Sequence, residues 1–360
     1  MKKNVFINAT ATKTGGALSI LSEFIDSIKL YTNEYEFYVF SSIKEKIPTH
    51  EGINIVDKSG IDNILKRIYW DLIGIIVWSY KKKIFADIVI SFQNTGFNYF
   101  GNSKKYVYVH QAIPYYKKYS WSITDKSERK LWFYKNIYKK AMELTWGNRC
   151  NLIVQTNWMK EIISNDNNID KSRIKVIRPK VKKIIKVDRN ISNNFNIIYP
   201  ASSVKYKNHI ELIKAIELIK YRNNNIYKNI NVFFTIDKEC KNSIELIKYC
   251  EEKDIDNIKF IGYKDYKDLI TYYEMVDLMV FPSLIETVGL PILEFKQLNK
   301  PIIVKDTIYA RESLGQYVNS YIYKDVEDLS LNIEKVFNGL SLVNCFKQKF
   351  EYSEWSDIFK

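Results

Sequence analysis

Strand-length apolar runs alternate with segments of helical period along almost the whole chain, the pattern of parallel sheets built through crossover helices. The spacing predicts strands at Asn4 to Asn8, Tyr35 to Phe40, Asp87 to Phe92, Tyr106 to His110, Leu152 to Thr156 and Ile174 to Ile177. A polar turn from Thr10 to Gly16 leads into a helix whose inward stripe is Leu18, Leu21, Phe24, Ile25 and Ile28. From Pro179 to Asn194 the chain carries Lys180, Lys182, Lys183, Lys186 and Arg189 and no apolar stripe long enough to pack, the mark of a linker. Alternation then restarts, with strands at Asn196 to Tyr199, Asn231 to Ile236, Ile258 to Gly262, Asp277 to Phe281 and Pro301 to Val304. Helices fit Asn208 to Lys220, Ser243 to Glu251, Tyr266 to Glu274 and a segment opening near Gly289. Two α/β units are expected, and open parallel sheets take ligands at the carboxyl ends of their strands.

The length of 360 residues agrees with two domains of roughly 150 residues each. A 46% hydrophobic share with 27% charged residues excludes a disordered chain, and 12 Gly with 7 Pro exclude a collagen-like repeat. The net charge of +14 suits an anionic partner: nucleic acid, anionic lipid or a phosphorylated substrate. Cys150, Cys240, Cys250 and Cys345 stand far apart with no CxxC pair, so neither a zinc site nor a disulfide framework is encoded and reduced cytosolic thiols are expected. The N-terminus lacks the apolar stretch of a signal peptide, and the run Leu72 to Trp78 is far short of the roughly 20 residues that span a bilayer. Two stretches, Lys66 to Phe85 and Tyr115 to Trp146, mix Lys and Arg with aromatics and would suit helices lying on an anionic membrane surface, the alternative being a solvated face over an aromatic core.

The stretch from Phe281 to Glu294, sequence FPSLIETVGLPILE, reads as a strand end, a turn and a helix start. With the helix opening at Gly289 or Leu290, Pro291 falls in the first turn, where a missing amide hydrogen costs little. The amides of Val288, Gly289 and Leu290 would be free to meet phosphate oxygens. Glu286 on the turn would accept hydrogen bonds from hydroxyls, with Glu294 about one turn into the helix. Two carboxylates around an anion-binding helix end fit a ligand with hydroxyl-rich ends and a diphosphate middle, the description of a nucleotide sugar. Thr14-Gly15-Gly16 after the first strand, Ser202, Ser203, Lys205 and Lys207-Asn208 after the strand at Asn196, and His110 at a strand end complete the candidates. Asp254 and Asp256 precede a strand and read as a solvated turn, so no metal is expected.

The Glu286 to Glu294 stretch, flanked by Pro282-Ser283 and Lys300-Pro301-Ile302-Ile303, resembles the E-x7-E signature of retaining glycosyltransferases of the GT-B fold, most similar to family four. The likeness is strong over residues 196 to 306 and weaker in the first half. It implies two Rossmann-like domains with a cleft between them: 1–185 on the acceptor side, 186–345 on the nucleotide-sugar donor side, and a C-terminal helix at 346–360 packing back on the first domain. It assigns Glu286 to the donor sugar and Glu294 to the ribose. Thr287, Val288, Gly289 and Leu290 fall to the donor, Gly15 and Gly16 to its diphosphate, Lys207 to its phosphates, Tyr263 to the nucleobase and His110 to the donor sugar. The family commonly has an arginine about five residues before the lysine. Here Ser202 and Ser203 stand in its place, and hydroxyls and amides, with Lys205, would hold the phosphate. The resemblance further implies a metal- and cofactor-independent transfer to a saccharide acceptor on a lipid carrier, in bacterial O-antigen, lipopolysaccharide or capsule assembly, by a cytoplasmic enzyme peripheral on the inner membrane face. A nucleotide-sugar epimerase or hydrolase on the same fold is the rival reading. A nucleic-acid binder is supported by the charge alone, with no binding motif.

Overall fold

The computed structural model describes residues 2–13, 15–147, 150–184, 194–342 and 349–359. Thr14, Cys345 and residues 185–193 of the expected linker lie outside the described residues. The chain divides into two compact units, Met1–Lys180 with Glu351–Lys360, and Val181–Phe350.

The first unit holds a seven-stranded sheet of β1 (Lys3–Asn8), β2 (Tyr35–Ser41), β3 (Ile53–Asp57), β4 (Ile88–Ser91), β5 (Lys104–Val109), β6 (Cys150–Val154) and β7 (Ile174–Val176), in the order β3-β2-β1-β4-β5-β6-β7. Every pairing is parallel. Parallel strands covered by helices on both faces must be apolar on both, which explains why β4 reads IVIS and is buried at every position. The edge strand β3 was missed in the sequence because INIVD is half exposed and interrupted by Asn54. In the helix Gly15–Ile28 the buried side chains are Ile20, Leu21, Phe24, Ile25 and Ile28. Leu18, expected in the stripe, is half-buried.

The second unit is a six-stranded sheet of β8 (Phe195–Tyr199), β9 (Ile230–Phe234), β10 (Ile258–Phe260), β11 (Leu278–Phe281), β12 (Ile302–Lys305) and β13 (Ser320–Tyr323), ordered β10-β9-β8-β11-β12-β13 and again parallel. Each sheet starts its central strand pair in the same way. Asn4 donates its amide to Asp87 Oδ2 at 2.8 Å and Asn196 donates to Asp277 Oδ2 at 2.8 Å, which pins β1 to β4 and β8 to β11. Residues Lys182 to Ile184 are held by one side chain of the second unit: Gln297 donates to the Lys182 carbonyl at 2.9 Å and accepts from the Ile184 amide at 3.0 Å. These residues therefore belong to that unit and not to a free linker.

Candidate functional site

In the second sheet the strand order reverses between β8 and β11, and loops leaving the carboxyl ends of two such strands diverge to leave a ligand-sized gap. The loop after β8 carries Ser202, Ser203 and Lys207. The loop after β11 carries Glu286, Thr287, Val288 and Gly289, with Leu290 and Glu294 in the helix Leu290–Phe295. All the candidates of the second half except Tyr263 thus lie on two loops, or on the short helix that follows the second of them, around one switch point.

Hydrogen bonds from a backbone amide and two side chains brace these loops. The Leu284 amide donates to the Tyr206 carbonyl at 2.9 Å, Asn208 Nδ2 reaches the Pro282 carbonyl at 3.4 Å, and the buried Tyr309 hydroxyl donates to the Ser283 carbonyl at 2.6 Å. The Tyr199 hydroxyl holds the Lys207 carbonyl at 2.6 Å. Asn208, in the left-handed region at φ 60°, turns the chain from the 3-10 turn Lys205–Lys207 into the helix His209–Arg222. With both backbones fixed, Lys207 Nζ forms an ion pair with Glu286 Oε1, the two side chains being 14% and 17% exposed. Sequence reasoning singled out both residues without seeing that they meet across 79 positions.

Gly289 is required for its conformation: at φ +76° an L side chain is strained, and a Cβ would come within 3.2 Å of Ile292 Cδ1 and 3.4 Å of Tyr309 Cε2. Ser313 donates to the Val288 carbonyl, fixing the turn from behind. Among the described residues, the amides of Val288, Gly289 and Leu290 donate to no protein acceptor. The helix they open is short, so these orphan donors carry more of its anion preference than the macrodipole does. Glu294 sits one turn in, where burial raises its carboxyl above the ordinary range and the buried Tyr273 hydroxyl, donating to Oε2 at 3.1 Å, partly offsets the rise. Ser202 is exposed and Ser203 half-buried, and neither hydroxyl is bonded among the described residues. Tyr263 follows β10, the residue 78% exposed and its amide donating to Asp237 Oδ1 at 3.1 Å. Asp256, weighed against a metal role, accepts from the Tyr227 hydroxyl at 2.8 Å.

His209 lies two residues past Lys207 yet belongs to the core, with its ring 4.6 Å from Tyr199 and 4.9 Å from Phe234 and its Nε2 enclosed without a partner. Burial, with the neighbouring Lys207 charge, pushes its imidazole down to about 3. The unfolded chain takes up this proton near pH 6.5 and the folded chain does not, so stability is lost as pH falls below that value, by about 1.4 kcal/mol per unit for such a site. Urea unfolding at pH 7 and pH 5 should show a smaller acid-induced loss for His209→Phe than for wild type, and equal losses would exclude this histidine as a source.

In the first unit Gly15 and Gly16 are exposed at the start of their helix, and Gly15 has φ +67° with nothing within 4 Å of a Cβ position. His110 follows β5, with its amide donating to Asn94 Oδ1 at 2.7 Å. The residue is half-buried, its Nδ1 is enclosed without a partner, and burial drives its imidazole down to about 4, which favours the neutral ring at pH 7.

A polar cluster at the switch point of the first sheet escaped sequence reasoning. Asn8 Nδ2 donates to Asp71 Oδ1 at 2.7 Å and Gln93 Nε2 to the same oxygen at 3.2 Å, with the Thr10 hydroxyl 3.1 Å from Asn8 Oδ1 and 3.3 Å from Gln93 Oε1. Burial raises the Asp71 carboxyl to about 6 against the lowering pull of the two amides and Arg67. The available signal was the placement of Asn8 and Gln93, amides just where apolar strands end.

Residues 181–349 match the family model described as glycosyl transferases group 1. The chain is 22% identical over 281 residues to the O-antigen chain mannosyltransferase RfbU of Salmonella typhimurium, covering 72% of this chain and 73% of that protein. Among solved structures, a glycosyltransferase from Rickettsia africae superposes with a TM-score of 0.66 at 17% identity, over 94% of this chain and 88% of that one. HepE of Anabaena in complex with UDP-glucose gives 0.64 at 13% identity, over 93% and 90%. Over residues 181–349 the second unit therefore belongs to the glycosyl transferases group 1 family, and the chain is a glycosyltransferase with the GT-B fold.

Proposed function

We propose that this glycosyltransferase moves a sugar from a nucleoside-diphosphate sugar onto a hydroxyl of a lipid-linked saccharide, with retention at the anomeric carbon and no metal ion, in bacterial O-antigen or capsule assembly. The observation that carries the donor half is the pairing of Lys207 with Glu286 beside the unpaired amides of Val288, Gly289 and Leu290. Lys207 and these amides would take the diphosphate, joined by Ser202, Ser203 and Lys205 where an arginine is usual. Glu286 would hold hydroxyls of the donor sugar, Glu294 the ribose and Tyr263 the base. Thr287 completes the donor loop. Preorganised charge and donors aimed at a departing diphosphate are the main lever for such a reaction. The bond from the anomeric carbon to phosphate oxygen breaks, the acceptor oxygen bonds to that carbon on the same face, and the acceptor proton passes to the departing phosphate oxygen.

Membrane docking would bring a lipid-linked acceptor within reach. No helix among the described residues is long and apolar enough to cross a bilayer. Ile64, Leu65, Ile68, Leu72, Tyr80 and Phe85 are exposed beside Lys66, Arg67 and Lys81 to Lys83, a composition suited to the anionic inner face of the cytoplasmic membrane. The O-antigen role named for RfbU supports the same setting.

A melting screen with UDP, GDP and dTDP tests the donor half. One nucleotide at a hundredfold excess over its Kd should stabilise the chain by about 2.7 kcal/mol, with EDTA present throughout. No shift with any of the three would remove this reading. With the nucleotide known, NMR of the product should show the donor's anomeric configuration kept. Sedimentation with anionic vesicles at low salt should carry the chain down, and recovery in the supernatant would end the docking idea.

A further inference from the structure

The first sheet reverses its strand order between β1 and β4, as the second does between β8 and β11. Asn8 is the last residue of β1, and Gln93 lies two residues beyond β4, so their amides stand at the place where an open α/β sheet receives a ligand. Both are buried, as is Thr10 between them. Asp71 reaches this point from a wide π turn, Trp70–Gly74, set between the helical segments Ile64–Tyr69 and Ile75–Lys82. Such turns recur at functional sites. This one depends on Gly74, where a Cβ would fall 2.5 Å from Trp70 Cε3, and on the Asn98 amide, which donates to the Asp71 carbonyl at 2.8 Å.

Burying three polar side chains is expensive unless they are satisfied, and an apolar cluster would hold these loops at lower cost. What the polar cluster accomplishes is orientation: two amide NH2 groups fix Asp71 Oδ1, while Oδ2 takes no hydrogen bond among the described residues. A metal ion would need several further oxygen ligands, and no three His, Cys, Asp or Glu side chains gather among the described residues. An anion would be repelled. A neutral, hydroxyl-bearing ligand meets neither objection.

We propose that Asp71 Oδ2 binds a hydroxyl of the acceptor saccharide, with Asn8, Gln93 and Thr10 as its positioning residues. The identification of that saccharide as acceptor rests on the transferase reading above; the site itself does not.

Saturation-transfer NMR on the full chain, with methyl glycosides of glucose, galactose, mannose and N-acetylglucosamine at millimolar concentration, tests this. At least one glycoside should bind wild type, and Asp71→Asn should weaken it at least tenfold. Asp71→Glu, which keeps the charge but displaces the oxygens, should weaken it similarly, so a folding defect in one variant leaves the other to decide. Glu45→Gln, an exposed carboxylate in neither site, should bind as wild type does. No glycoside bound by wild type, or equal binding in a folded Asp71 variant, would overturn the proposal. A glycoside bound through Asp71 in a chain that no nucleoside diphosphate stabilises would retire the transferase reading and leave this site standing.

Discussion

Replacing Lys207 by Met is expected to lower sugar transfer by about 10²–10³-fold, the usual cost of removing one preorganised donor from a site of developing negative charge. The same change should destabilise the second unit by about 3–5 kcal/mol, because it leaves the largely buried Glu286 carboxylate without its partner. Loss of activity in the single variant is therefore ambiguous by itself. The double variant Lys207→Met/Glu286→Gln separates the two effects, since it removes both charges together. It should regain most of the stability and none of the transfer. Urea unfolding and turnover with the nucleotide sugar identified by melting give the two readouts. A double variant that is stable and active would remove this loop pair from the chemistry, and a single variant of unchanged stability would show that the pair is solvated.

The other large effect is expected far from any chemistry. Residues 351–359 belong to the first unit, and Trp355 enters its core 4.8 Å from Phe24 and 5.7 Å from Tyr108, with Nε1 donating to Glu23 at 3.2 Å. Phe359 stacks on Tyr31 at 5.2 Å and meets Tyr35 and Phe37, while the Tyr35 hydroxyl donates to its carbonyl at 2.8 Å. The Ser353 amide closes the segment onto the Val176 carbonyl at 2.7 Å. Trp355→Ala should cost about 3–5 kcal/mol. Deleting residues 351–360 removes Ile358 and Phe359 as well and should take the first unit to the edge of unfolding, given a typical domain stability of about 5–15 kcal/mol. Hydrogen exchange would then show lost protection across β1, β2 and β5 with β8 to β12 unaffected. Protection retained in the first sheet would mean that these rings merely cover the core.

The parallel α/β character was legible because central strands such as LMVF in β11 and IIVK in β12 are apolar on both faces and need no context to be read. Edge strands β3 and β13 escaped, since INIVD and SYIY bury one face at most and look like loops. At the switch-point loops of the second sheet, the Gly289 turn and the two glutamates stood out from their local pattern. The ion pair did not, because sequence spacing carries no information on which of many lysines reaches Glu286. Glu211 is a similar case: it accepts from Asn208, Lys305 and the Tyr323 hydroxyl, tying the helix His209–Arg222 to the ends of β12 and β13 through residues up to 112 positions away. Asp71 was hidden for another reason. The apolar run from Leu72 was read for its length against a bilayer, and the π turn that rotates Asp71 toward Asn8 has no local signature.

The most direct test of the account is a crystal structure of the chain with whichever nucleoside diphosphate raises its melting temperature. The diphosphate is expected within hydrogen-bond reach of Lys207 Nζ and of the Val288, Gly289 and Leu290 amides. A diphosphate bound elsewhere, with the Lys207–Glu286 pair and those amides untouched, would contradict it.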